Sequence, residues 1–366
     1  MATKNPEVQN ETKLRSKKGH ERKINTTIYV ILVLISIIWL CPFVFLVFQS
    51  FRGESGGQVA YVLPKQWTLD NYKFLFEGVA FNLKLLVKDL PAILLTVITN
   101  VLGILGMVYF LSRKPRNPYE KSEGNLKAAA LVFGVIALID FIRCVDATNC
   151  DFVHWYMNTL IIALFCAAIQ TVMVLSVSYT LSRMRFKGRK LIMNVVLVLG
   201  MFPGFLTMIV LYYLLKMLGL TQAGAVPGLI LISCASSGMG YYISKGFFDT
   251  IPKSLDESAR IDGATRMQVF YSIIMPMAKP IVIYTILMAF MGPWGDYVFA
   301  SYVAFGHKAG YNVAVGLYRW VNTNDYQGYF TKFCAGGVLV AIPITLLFMA
   351  LQKYYVEGVT GGAVKG

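Results

Sequence analysis

The chain has 366 residues, 56% of them hydrophobic and only 14% charged, with a mean hydropathy of +0.58. A soluble domain carries about a quarter charged residues, so composition excludes an ordinary soluble enzyme and points to the membrane class. Lys and Arg total 34 against 19 Asp and Glu, a formal charge of +15. With no nucleic-acid-binding motif beside it, that excess reads as basic loops orienting membrane spans, and no nucleic-acid partner is expected.

Residues 1–27 form a basic leader that includes Lys13, Arg15, Lys17, Lys18, Arg22 and Lys23. The apolar run from Ile28 to Phe48 is long for a signal core, and no small-x-small cleavage site follows, so it reads as a retained anchor. A span needs about 20 apolar residues. Such stretches begin near Ile28, Pro91, Leu126, Asn158, Lys190, Ala225, Lys279 and Lys332. The expected fold is therefore all-α: a polytopic membrane protein of about eight transmembrane helices. Basic residues in 113–125 and 183–190 place those loops, the loop 245–278 and both termini on the cytoplasmic side. Between the first two spans, segment 68–90 carries Leu75, Val79, Leu83, Leu86 and Leu90 at helical spacing. It predicts an amphipathic helix on the outer interface.

The six cysteines contain no C-x-x-C. Cys41, Cys166, Cys234 and Cys334 read as small hydrophobes, while Cys144 and Cys150 flank an outer loop where either a disulfide or free thiols fit. No G-x-x-x-x-G-K-[ST] is present, so ATP is not expected to bind this chain. His20, His154 and His307 fall outside the predicted spans, and no H-E-x-x-H or G-x-S-x-G occurs, so neither a metal site nor catalytic residues are expected. Ionisable groups at membrane depth are sparse, with Asp296 the main one and Asp140 a lesser one. An ion-coupled carrier working alone has little to work with.

One polar stretch interrupts the grease: "DESARIDGATRMQVFYSIIMP", residues 256–276. Ser254 and Glu257 have capping-box spacing, which predicts a helix from about Leu255, with Asp256 and Glu257 in its first turn. Ser258 and Ala259 leave a small face for something large to pack on. Asp262-Gly263 breaks the helix, Thr265 and Gln268 restart it with a second box, and Pro276 and Pro280 bend the chain into the next span. The expectation is a cytoplasmic helix–turn–helix presented to a partner.

These residues resemble the E-A-A loop of permease subunits in binding-protein-dependent ABC importers. Glu257, Ala259, Asp262, Gly263, Ala264, Ile273 and Pro276 stand at that motif's spacing, with Ser258 and Met275 as departures. The tail "QKYYVEGVTGGAVKG" and the segments "LDNYKFLF" and 155–189 resemble the maltose-type, carbohydrate-uptake branch. "FMGPWGDYVFA" resembles its W-N-[ED] segment, with Gly295 where asparagine is usual. The resemblance covers about residues 26–82 and 153–366 and leaves 83–152 as an inserted two-helix hairpin on a six-helix permease core. The organisation then reads as leader 1–27, first span and outer segment 28–82, hairpin 83–152, permease core 153–352 with its loop 245–278, and tail 353–366.

The resemblance implies a carbohydrate importer subunit in a bacterial cell (inner) membrane. Its implied partners are a second homologous permease, two ATPase subunits that hold ATP and Mg, an extracellular solute-binding protein and membrane lipid. Coupling to the ATPase is implied for Glu257, Ser258, Ala259, Asp262, Gly263 and Ala264, and the last residues, 361–366, are implied to reach between the ATPase subunits. The outer loop 304–332 is expected to face the binding protein. Sugars are held by aromatic faces and hydrogen-bonding side chains. The substrate-path candidates are Tyr212, Tyr213, Trp294, Asp296 and Tyr297, each with helix packing or interfacial anchoring as its alternative. Another polar solute (a polyol or glycerol phosphate) and an ion-coupled carrier are the rival readings.

Overall fold

The computed structural model describes residues 6–54, 61–81, 101, 145–146, 150–235, 238–322 and 326–363. The spans expected from Pro91 and Leu126 lie outside the described residues, as do Asp140, Cys144 and the final residues 364–366. The described chain is mostly helical. Among the described residues, four helical stretches are long and apolar enough to cross a membrane: Asn25–Ser50, Asp151–Arg183, Gln222–Thr250 and Gly328–Gln352. Two bent pairs raise the number to six if each is one span.

Helix α1 (Pro6–Ser50) carries the leader and first span as one rod, with Pro42 inside it. The short α2 (Asp70–Leu75) follows. Strands β1 (Ala80–Phe81) and β2 (Val145–Asp146) pair antiparallel, with Ala80 opposite Asp146. Phe81 and Val145 thus lie side by side.

Helix α3 (Asp151–Arg183) is unbroken for 33 residues. At 1.5 Å per residue it is about 50 Å long, more than the about 30 Å apolar core of a bilayer. Helices α4 (Arg189–Gly200) and α5 (Gly204–Met217) meet at 103°. Then come α6 (Ala225–Ala235), α7 (Gly238–Thr250) and α8 (Ser254–Ile261). Helix α9 (Arg266–Met277), π-helical over Val269–Ile274, meets α10 (Lys279–Gly295) at 83°. The chain closes with α11 (Val298–Ala304), α12 (Val313–Val321) and α13 (Tyr326–Ala363).

Side-chain packing, rather than transfer out of water, holds such helices together in lipid. The larger core gathers at one end of α3, where Phe152 and Trp155 pack with Leu75, Tyr311, Leu317 and Trp320. A Cβ on Gly316 would stand 1.9 Å from the Trp155 ring, so only glycine lets α12 lie this close to α3. Asn71 ties three elements at the same end. Its amide donates to the carbonyls of Ser50 and Arg52, and its oxygen accepts from the Thr331 hydroxyl. The end of α1 and the starts of α3 and α13 therefore lie together. The start of α1 and the end of α13 run towards the opposite end, where α3 finishes at Arg183.

Several expectations need correction. Segment 68–90 is not one amphipathic helix: α2 stops at Leu75, and Gly78 turns the chain at φ +83°. Leu75 is fully buried in the core instead of lying on an interface. Leu83, Leu86 and Leu90 lie outside the described residues. The span placed near Asn158 starts at Asp151, so His154 is in its first turns and pairs with the Ala309 carbonyl at 3.2 Å. The presumed outer loop 304–332 contains α12 and the start of α13. Cys150 has a free, buried thiol that donates to the Leu75 carbonyl at 3.1 Å.

Candidate functional site

The polar stretch folds as a helical elbow at the Arg183 end of α3. Helix α8 begins at Ser254, but the expected Ser254–Glu257 box does not form. An N-cap side chain needs an extended backbone. The residue at the cap position is Lys253, in helical conformation, and its carbonyl accepts from the Asp256 and Glu257 amides. The helix therefore starts earlier than the box, straight off Pro252.

Its end follows the sequence closely. Gly263 has φ +84°, its amide donates to the Arg260 carbonyl, and the Ala264 amide donates to the Ala259 carbonyl. That pair of bonds is a Schellman ending, and its left-handed residue favours glycine. Thr265 then caps α9. The Gln268 amide donates to the Thr265 hydroxyl at 3.3 Å, and the Thr265 amide donates back to Gln268 Oε1 at 2.8 Å. This second box forms as expected.

The elbow has two faces. Ala259, Val269, Phe270 and Ile274 turn inward onto Leu175, Tyr179, Phe248 and Ile281, a second core separate from the first. The outer face carries Ile261 at 86% exposure, Met267 at 63% and Tyr271 at 61%. Glu257, Ser258, Asp262 and Gly263 are exposed, Ala264 is half-buried, and Ala259 is buried against the chain's own core. Ile261, Met267 and Tyr271 were missed in the sequence because they look like ordinary helix-core residues. Their placement in so polar a segment was the available signal.

The rear of the elbow is fastened to α3. Arg183 Nη2 donates to the carbonyls of Phe248 at 2.8 Å and Ile251 at 2.7 Å, and Nη1 lies 3.4 Å from Asp256 Oδ2. Burial pushes the Asp256 carboxyl above the ordinary carboxylate value; the Arg183 guanidinium opposes this and Glu257 adds to it. Ser182 donates to Asp249 Oδ1 at 2.5 Å, and Lys245 pairs with the other Asp249 oxygen. A cavity of about 400 Å³ beside this junction is lined by Arg183, Arg185, Arg189, Lys253, Arg260 and Arg266, against Asp256 and Glu257.

The substrate-path candidates do not converge. Asp296 lines a cavity of about 270 Å³ with Asn312, Gln170 and Ser233, walled by Ile162 and Met288. Its Oδ1 accepts from the Phe299 amide, and Asn312 donates to its backbone carbonyl at 2.6 Å while capping α12. Tyr212, Tyr213, Trp294 and Tyr297 are not in that wall. Trp294 is buried against Tyr156 and Phe290, and Tyr212 against Tyr302. Tyr297 packs on Tyr318 at 4.2 Å, and Tyr213 is 58% exposed. Gln170, Ser233 and Asn312 were missed, because each is a lone polar residue in an apolar sequence and only helix packing brings them to one cavity.

A bundle of apolar helices with a polar helical elbow at one end defines a multi-pass membrane protein. The profile of the family described as binding-protein-dependent transport system inner membrane component matches residues 173–361. The chain belongs to that family. It is similar to the galactooligosaccharides transport system permease protein GanQ of Bacillus subtilis (strain 168), 39% identical over 217 residues, 59% of this chain and 75% of that one. The maltodextrin transport system permease protein MdxG of the same organism is 37% identical over 244 residues, 66% and 86% of the two chains. MalD, the maltodextrin permease of Streptococcus pneumoniae (strain ATCC BAA-255 / R6), is 38% identical over 222 residues, 58% and 75%. Among solved structures, a chain of a bacterial ABC transporter involved in the import of the acidic polysaccharide alginate superposes with a TM-score of 0.58 at 18% identity. It covers 92% of this chain and 98% of that one, a likeness of fold.

Proposed function

We propose that this chain is a membrane subunit of an ATP-driven carbohydrate importer in a bacterial inner membrane, and that the elbow is where an ATPase subunit docks. The observation that carries the reading is the elbow itself: capped on both arms, hinged at Gly263, packed behind by its own core and apolar in front. The first matched relatives are named for galactooligosaccharide and maltodextrin transport, which supports an oligosaccharide as the solute. Ile261, Met267 and Tyr271 fit an apolar groove on the ATPase, with Glu257, Ser258 and Asp262 at its polar rim. Gly263 and Ala264 set the turn, and Ala259 contributes by anchoring the elbow from behind.

ATP and Mg belong to that partner, and this chain performs no reaction. The rest of the assembly is a second ATPase subunit, an extracellular solute-binding protein and a second permease. The broken turn between α4 and α5 supports the second permease. Irregular backbone at membrane depth must face protein or a water-filled cavity, and Met201 and Phe202 there are 78% and 58% exposed in this chain alone. This reading carries the eight spans expected from the apolar runs, and it puts both termini on the elbow's cytoplasmic side, where 361–366 reach between the ATPase subunits. Solute passes by the Asp296 cavity, with Asp296, Gln170 and Ser233 as its hydrogen-bonding groups, while the Asn312 side chain is taken up by backbone; Tyr212, Tyr213, Trp294 and Tyr297 serve packing.

The test is uptake by proteoliposomes holding the full assembly. ATP-dependent entry of a maltodextrin or galacto-oligosaccharide is expected only with all subunits present. Gly263→Pro, whose ring cannot reach a positive φ, and Glu257→Lys are expected to abolish it. Solute flux driven by an ion gradient through this chain alone would overturn the reading.

A further inference from the structure

We propose that Arg183 is the positioning residue through which a moving elbow drives α3, and through α3 the Asp296 cavity. The proposal rests on the reading that an ATPase subunit docks on the elbow.

Basic residues at the end of a membrane helix usually lie in the headgroup layer and orient the span. Arg185, Lys187 and Lys190 are exposed and fit that role. Arg183 does not, because its side chain is only 4% exposed and its contacts are directional. Its guanidinium takes the carbonyls of Phe248 and Ile251, at and just beyond the end of α7, where a helix cannot satisfy its own acceptors. The same group faces Asp256 in the first turn of α8. One side chain of α3 therefore holds both the strand of chain entering the elbow and the elbow's first arm.

Its neighbours act on the same junction. Tyr179, one turn earlier on the same face of α3, packs on Phe248 and, at 4.7 Å between rings, on Phe270 of α9. Ser182 holds Asp249. The elbow's two arms are thus both gripped by the last turns of one helix. That helix runs unbroken to the other end of the molecule, and on the way Ile162 and Gln170 form part of the Asp296 cavity wall. A buried cation is costly unless it is held, and here the hold is the two Nη2 hydrogen bonds and the Asp256 ion pair, with Nε unpartnered, so a shift of the elbow either carries Arg183 and α3 with it or strands the charge.

The experiment compares wild-type, Arg183→Gln, Arg183→Lys and Asp256→Asn versions of the full assembly in proteoliposomes. It reads maltodextrin or galacto-oligosaccharide taken up per ATP hydrolysed, with co-purification of the ATPase subunits as the check on docking. Arg183→Gln is expected to lower that ratio about tenfold, the size of change expected when a charge-assisted hydrogen bond is lost, while the ATPase still co-purifies. Arg183→Lys is expected to recover part of the ratio and Asp256→Asn to lose less of it. A merely structural role lowers uptake and hydrolysis together and leaves the ratio at its wild-type value; that result overturns the proposal. Should Arg183→Gln fail to assemble, Arg183→Lys and Asp256→Asn carry the same ratio, and an unchanged value in both overturns it equally. A wild-type assembly without ATP-dependent uptake defeats the functional reading instead, so the two failures are told apart.

Discussion

The two ends of α3 are built on different principles. At the Asp151 end, aromatic rings interlock and backbones touch: Trp155 against Gly316, Phe152 and Trp155 against Trp320. Several buried polar groups there are taken up by backbone. Asn158 donates to the carbonyls of Ala309 and Tyr311, and the Thr159 hydroxyl accepts from the Val313 amide. At the Arg183 end a small cluster of charges and hydroxyls grips helix ends and turns, around a modest second core. Close packing permits few intermediate arrangements, whereas charged hydrogen bonds to turns can be exchanged as an elbow rotates. The first end is suited to staying fixed and the second to moving.

Mutations can break this contrast. The largest effect is expected from Gly316→Leu, which forces a side chain into the Trp155 ring. About 3 kcal/mol of stability should go, read as a lowered unfolding midpoint of the whole protein in detergent. Asn158→Leu comes next. It orphans two buried carbonyl contacts and should cost about 2 kcal/mol by the same measurement. Thr265→Ala removes the cap of α9 and should cost about 1 kcal/mol, confined to faster amide exchange over residues 266–270 with the global midpoint nearly unmoved. Were it to lower the midpoint as far as Gly316→Leu does, the two ends would be one cooperative unit and the contrast would fail. Lys73→Ala closes the series. The Asp70–Lys73 pair is exposed on both sides, and no measurable change in midpoint is expected.

Legibility in the sequence followed the range of the interactions. The Gly263 turn and the Thr265–Gln268 box were readable because each is made by residues within a few positions of one another. The Ser254–Glu257 box had the right spacing and did not form, since Pro252 and Lys253 begin the helix before it. Four spans among the described residues were located from apolar runs alone, yet α4–α5 and α9–α10, read as one span each, are bent in ways that hydropathy does not record. Leu75 was placed on an interface because its spacing is helical, and it is buried because the short α2 packs against the start of α3.

The sequence by itself determined that this chain lives in a membrane, where its long apolar helices fall, and where a polar elbow interrupts them. Those properties depend on the free energy of short segments in water or lipid and on hydrogen bonds closed within one or two turns. Only the tertiary structure decided which side of the elbow faces out, that Trp294 packs inward while Asp296 meets a cavity, and that Arg183 holds three elements instead of marking a membrane surface. Each of these depends on contacts between residues far apart along the chain, and the direction of a side chain in a helix has no meaning until its neighbours are in place.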